Sequence, residues 1–129
     1  MIHEEICTYE LCKLAKEKGF NVQTFDWYDY TGNYHKGFIP HKLHECPRYK
    51  EYYAPTQSLL QRWLREGKNI HIEIIATASG YYWCVNKTNG TSITDSDVLN
   101  RGTNDGGCFD TYELALEDAL KYTLENLVI

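Results

Sequence analysis

The residues of this chain best suited to hold a metal ion are His35, His41, His44 and Cys46, which lie within one irregular segment. Zinc takes four nitrogen or sulfur ligands in a tetrahedron. The His-x-x-His-x-Cys spacing of His41, His44 and Cys46 offers three donors, and His35 offers a fourth. No CxxC or HxxxH pair accompanies them. Pro40 and Pro47 can order the stretch by themselves, and histidines in such a loop are more commonly solvated than ligating. No cofactor is expected, and these four residues are the candidates if a metal is bound.

A second group depends on strand alternation. If Ala76 pairs with Tyr81 across a hairpin, Ile74 meets Trp83 and Ile72 meets Val85 on the apolar face. On the other face Glu73 then meets Cys84, and His71 meets Asn86. A thiol, an imidazole and a carboxylate on one surface are the parts of a nucleophile with its base. An antiparallel sheet with one wet face gives the same pattern without catalysis. Nothing in the sequence adds an oxyanion hole, so no catalytic residue is assigned and a non-enzymatic protein is expected. The run Asn104-Asp105-Gly106-Gly107 has no following Lys-Ser/Thr, so it is read as a flexible connector and not as a phosphate loop.

Eleven tyrosines against four phenylalanines make the aromatic content unusual. Tyr28, Tyr30, Tyr34, Tyr49, Tyr52 and Tyr53 crowd the first half, interleaved with Lys36, Lys42, Arg48 and Lys50. Aromatics beside cations can stack single-stranded nucleic acid. They can equally anchor a protein interface. With Glu45 and Glu51 in the same segment and a net charge of -5 overall, protein contact is the favoured reading. The alternative is a metal-binding or nucleic-acid-binding module built on segment 34–53.

Positioning these residues requires the following elements. A helix is expected over 8–18, capped by Thr8 and closed by Gly19 with Phe20 as the apolar contact beyond it. A strand is expected over 21–30, then a long irregular segment over 31–55 with one short strand near 37–39. A second helix runs over 56–66 and is ended by Gly67. Three antiparallel strands follow over 70–76, 81–87 and 91–95, with a hairpin turn at Thr88-Asn89-Gly90. The last helix spans 110–127 and starts with Asp110 as its cap. Helices on one face of an antiparallel sheet of about three to four strands make a two-layer α+β domain, here expected to be a single one over 1–129. Its core should hold Leu11, Leu59, Leu60, Trp63, Ile72, Ile74, Trp83, Val85, Leu116, Leu120 and Leu124.

Three stretches carry a resemblance. They are Leu11-Cys12-Lys13-Leu14-Ala15-Lys16-Glu17-Lys18-Gly19-Phe20, then Ala54-Pro55-Thr56-Gln57-Ser58-Leu59-Leu60-Gln61-Arg62-Trp63-Leu64-Arg65-Glu66, and Phe109-Asp110-Thr111-Tyr112-Glu113-Leu114-Ala115-Leu116-Glu117. In order and spacing they resemble a family of small uncharacterised proteins encoded by gut anaerobes and their phages or prophages. The family tends to have a second Glu where this chain has Leu114. The resemblance implies a phage or mobile-element setting and transfers no site residue. The last third is also similar to HicB-type antitoxins, which hold a toxin through protein contacts. The α-β-β-β-α order of the second half matches double-stranded-RNA-binding domains. Here, however, the final helix opens with Asp110, Glu113, Glu117 and Asp118, which repel a phosphate backbone.

Composition points the same way. The 129 residues suffice for one core, and Lys+Arg 13 against Asp+Glu 18 gives no general attraction to nucleic acid or anionic lipid. The acidic start Met1-Ile2-His3-Glu4-Glu5 is not a basic signal region, and no apolar run reaches membrane-spanning length. A cytoplasmic location is expected, with Cys7, Cys12, Cys46, Cys84 and Cys108 reduced. The expected function is that of a non-enzymatic accessory protein that binds another protein or a second copy of itself.

Overall fold

A computed structural model describes residues 3–37 and 51–129 of the chain. In order, the described elements are α1 (Tyr9–Glu17), β1 (Trp27–Tyr28), β2 (Tyr34–His35), β3 (Tyr52–Tyr53), α2 (Gln57–Lys68), β4 (Ile70–Thr77), β5 (Gly80–Lys87), β6 (Ser92–Asp95) and α3 (Tyr112–Asn126). The fold is α+β, with two antiparallel three-stranded sheets ordered β2-β1-β3 and β4-β5-β6.

Each helix begins at a threonine whose side chain accepts from the backbone N–H three residues on: Thr8 from Leu11, Thr56 from Leu59 and Thr111 from Leu114. The third differs from expectation. Asp110 does not cap α3; its carboxylate accepts from the Asn104 side chain at 2.9 Å. The first helix closes as its residues suggest. Gly19 takes φ +100°, its N–H reaches Lys16 O at 3.1 Å, and Phe20 N–H reaches Ala15 O at 2.9 Å. The second helix does not end at Gly67 but continues to Lys68, where Asn69 adopts the left-handed conformation (φ 58°). Asn tolerates that region, so it serves as the stop.

The larger sheet carries the expected register, with Ala76↔Tyr81, Ile74↔Trp83, Ile72↔Val85, Glu73↔Cys84 and His71↔Asn86 all paired. α3 packs on β4 and β5, and α2 packs on β4. Leu11, Leu60, Ile72, Trp83, Val85, Leu116, Leu120 and Leu124 are buried as expected, while Leu59, Trp63 and Ile74 are only half-buried against them. Cys7, Cys12, Ala15, Phe20, Tyr52, Tyr53, Ala54, Leu64, Ile70, Ala119 and Val128 are buried with them. Cys7 precedes the Thr8 cap and Cys12 lies one turn in, so the two thiols occupy the positions of a hydrophobic staple.

The first half departs most from expectation. Of segment 21–30 only Trp27 and Tyr28 form a strand, and the aspartates beside them organise the turn that follows rather than extending the ladder. Asp29 accepts from Thr31 N at 2.9 Å and Asn33 N at 3.1 Å, and Asp26 accepts from Gly37 N at 3.2 Å. A strand lies at Tyr34–His35; of the strand expected near 37–39, Gly37 is not in a strand and 38–39 lie outside the described residues. Segment 31–55 is not wholly irregular, since β2 and β3 fall within it and pair with β1.

Candidate functional site

Tyr81 exchanges backbone bonds with Phe109 (2.9 and 2.7 Å). Trp83 accepts from Ser96 N at 2.9 Å and donates to Ser96 Oγ at 3.0 Å. The polar backbone groups of both residues therefore point away from β4. In an antiparallel ladder, their partners Ala76 and Ile74 must then aim N–H and C=O outward, and by alternation so must Ile72. The outer side of β4 is an open edge among the described residues, touched at one point, where Gln61 of α2 donates to Ile72 O at 2.8 Å.

Beside this edge lies a groove of about 300 Å³. It is lined by His3, Glu4 and Glu5 of the leading segment, Gln57, Ser58 and Gln61 of α2, and Tyr112, Glu113 and Leu116 of α3. Gln57 anchors its floor, donating to Glu113 O at 2.9 Å and Glu117 Oε1 at 3.1 Å. Gln61 belongs to both edge and groove: its amide sits on the Ile72 carbonyl and its side chain lines the groove. Glu4, Glu5 and Glu113 are exposed, and no lysine or arginine shares the lining.

The other face of this sheet carries the expected polar row. Cys84 pairs with Glu73 on one side and Asp95 on the other. Its Sγ lies 3.7 Å from Glu73 Oε2, and His71 Nε2 lies 3.4 Å from Glu73 Oε1. The carboxylate sits between imidazole and thiol, so His71 does not address the sulfur. Burial and then Glu73 and Asp95 push the Cys84 thiol up, which keeps it protonated and opposes nucleophilic use.

His35 lies in β2, stacked on Trp27 at 4.3 Å, with Nε2 2.7 Å from Asp29 Oδ2. His41, His44 and Cys46 lie outside the described residues. Among the described residues, no three His, Cys, Asp or Glu side chains are grouped to hold a metal. Hydrogen bonds from Thr31 and His35 hold the Asp29 carboxyl well below the usual carboxylate range.

Several of the described tyrosines pack on one another. Tyr9 packs edge-on against Tyr28 and Tyr52 at 5.7 and 5.6 Å, and Tyr28 packs against Tyr34 at 5.4 Å. Tyr28 OH donates to Cys7 O at 2.9 Å, and burial pushes its pKa up to about 12. Tyr52 and Tyr53 are each 7% exposed, so they are core rather than surface anchors, whereas Tyr30 remains 71% exposed. Tyr49 lies outside the described residues.

The 97–108 loop is tied down and is not a flexible connector. Arg101 grips Asp118 through two bonds of 2.7 Å, and the same carboxylate accepts from Trp83 Nε1 at 2.9 Å. Buried Ser96 donates to Gly107 O at 2.7 Å. At Gly107 (φ +71°) a Cβ would lie 2.4 Å from Asp97 N, so only glycine allows this approach.

The open edge of β4 and the role of Gln61 and Glu113 beside it are features the sequence reading missed. The available signal was β4 itself: the first strand of a meander lies at its margin, and this one carries only His71 and Glu73 as titratable groups. No helix among the described residues is long and apolar enough to cross a membrane. No family model, curated protein or solved structure matches the chain.

Proposed function

We propose that this protein acts without catalysis, by holding another polypeptide along the outer edge of β4. The observation that carries this reading is the edge itself: eight residues long, unbulged against β5, and, among the described residues, capped by a side chain only at Ile72 O. Unpaired strand edges are templates for strand addition, and proteins that do not use them usually blunt them with charge, proline or cover. The likeness of three stretches to small phage-encoded proteins supports an accessory role. The protonated state of the Cys84 thiol gives catalysis no support on the opposite face.

The test is native mass spectrometry of the untagged protein from its own cells, beside the variant Ala76→Pro. Ala76 is exposed and aims its N–H outward, so proline removes an edge donor with little cost to the ladder with β5. The expected result is a companion mass retained by the wild type and lost by the variant. A companion retained equally by both, or none in either, overturns the reading.

A further inference from the structure

We infer that the segment received at β4 is an extended, cationic one, with lysine or arginine at alternate positions facing the helix layer. This rests on the strand-addition reading above and adds the chemistry of the partner. Side chains of an added strand that lie opposite Ile72, Ile74 and Ala76 share their face, which is the helix side of the sheet. On that side Gln61, bonded to the edge at Ile72 O, also lines the groove where Glu4, Glu5 and Glu113 stand without a lysine or arginine in the lining. The intervening side chains emerge on the other face beside His71, Glu73 and Ile75, where Glu73 adds another carboxylate, 51% exposed. A second copy of this chain fits poorly. It would bring its own share of a net charge of -5 to an already acidic edge. A two-fold axis through Glu73 would also set that carboxylate opposite itself, and like charges directly opposed are unfavourable. The same reasoning excludes an acidic strand.

The site is thus built in two parts that do different work. The outward N–H and C=O of Ile74 and Ala76 give any extended backbone a ladder. The three glutamates select which side chains may follow it. Gln61 marks the limit of the free edge, because its amide already occupies the Ile72 carbonyl.

The experiment titrates three labelled peptides, Ac-TKVKTKV-NH2, its Lys→Glu counterpart and its Lys→Gln counterpart, by fluorescence anisotropy. The proteins are wild type, Ala76→Pro and the triple variant Glu4→Gln, Glu5→Gln, Glu113→Gln, each first checked for native circular dichroism. The lysine peptide should bind wild type at least tenfold more tightly than the glutamine peptide, with no binding of the glutamate peptide. That margin should vanish in the triple variant, and Ala76→Pro should weaken binding tenfold or more. Equal binding of the lysine and glutamine peptides, both sensitive to Ala76→Pro, overturns the cationic preference and leaves strand addition standing. Lysine-peptide binding indifferent to Ala76→Pro overturns strand addition and leaves a surface charge effect. A wild-type dimer in sedimentation velocity that Ala76→Pro dissolves makes the occupant a second copy and overturns the inference. Absence of binding by all three peptides overturns it as well.

Discussion

The two sheets of this protein are built by different means. The β4-β5-β6 sheet comes from contiguous chain: two eight-residue strands joined by a tight turn, their apolar residues alternating onto α2 and α3. The β2-β1-β3 sheet gathers three two-residue strands, the last of them far along the chain from the other two. Two-residue strands supply few ladder bonds, so side chains finish the work: Asp29 organises its loop, Thr24 and the Asp26 backbone hold Ala54, and Tyr rings fill the space against α1. One half is held by long ladders and buried area, while the other adds polar contacts at its margin to the burial of Tyr52 and Tyr53. A stable half can leave its outer edge open, because α2 and α3 already hold its inner face.

The largest expected effect follows from burial. Trp83 is fully buried and bonded to Asp118, so Trp83→Ala should cost about 3–5 kcal/mol by transfer and cavity terms together. Trp27 is half-buried in the small sheet, and Trp27→Ala should cost about 1 kcal/mol. Urea unfolding of both variants checks this. Equal costs would break the distinction between the halves.

The same difference decides what could be read in the residues alone. The 70–87 hairpin was legible down to its register, because alternation of Ile70, Ile72 and Ile74 against Trp83 and Val85 leaves one pairing that buries them together. The caps at Thr8 and Thr56 and the close at Gly19 were legible because each is a local rule. The small sheet was not. Val22, Thr24, Asp26 and Tyr28 alternate as a strand does, yet only Trp27 and Tyr28 find ladder partners, and the pairing of Trp27 with Tyr53 joins distant positions. Tyr52 and Tyr53 were read as surface because tyrosine so often is, whereas here the rings fill the gap between α1 and β1. Of the site, the polar row of His71, Glu73 and Cys84 was legible. The open edge was not, because it depends on what fails to cover β4.

A middle-sized effect tests how the halves are joined. Glu117 of α3 accepts from Thr8 Oγ1 at 2.6 Å and from Gln57 Nε2 at 3.1 Å, so one carboxylate ties the starts of α1 and α2 to the last helix. Removing the acceptor of these bonds by Glu117→Ala should cost about 2 kcal/mol. The loss should fall unevenly. Amide exchange at Trp27, Tyr28 and Tyr53 should accelerate, while β4 and β5 keep their protection. Uniform acceleration in both sheets would show that they open as one unit, and the comparison would then describe construction without describing stability.

The smallest effect is local and set by pH. Hydrogen bonds from Thr31 and His35 lower the Asp29 carboxyl in the folded state, so folding favours its ionised form. The sign follows from that direction. The stabilisation is complete above the unfolded carboxylate value of about 4 and is lost as pH falls below it toward the lower folded value. In Asp29→Asn the group no longer titrates, so this part of the acid-side loss disappears and the variant's stability changes less steeply below pH of about 4. The His35 and Trp27 ring resonances are the proper readout, because Asp29 holds His35 against Trp27 at the 4.3 Å stack. In the wild type these signals should shift as the carboxyl protonates, while those of Trp83 stay fixed until global unfolding. If the Trp83 signal moves in step with Trp27, the clasp at Asp29 is communicating with the large sheet. If neither variant nor wild type shows an acid-side slope at Trp27, the small sheet is held by its aromatic packing rather than by its polar margin.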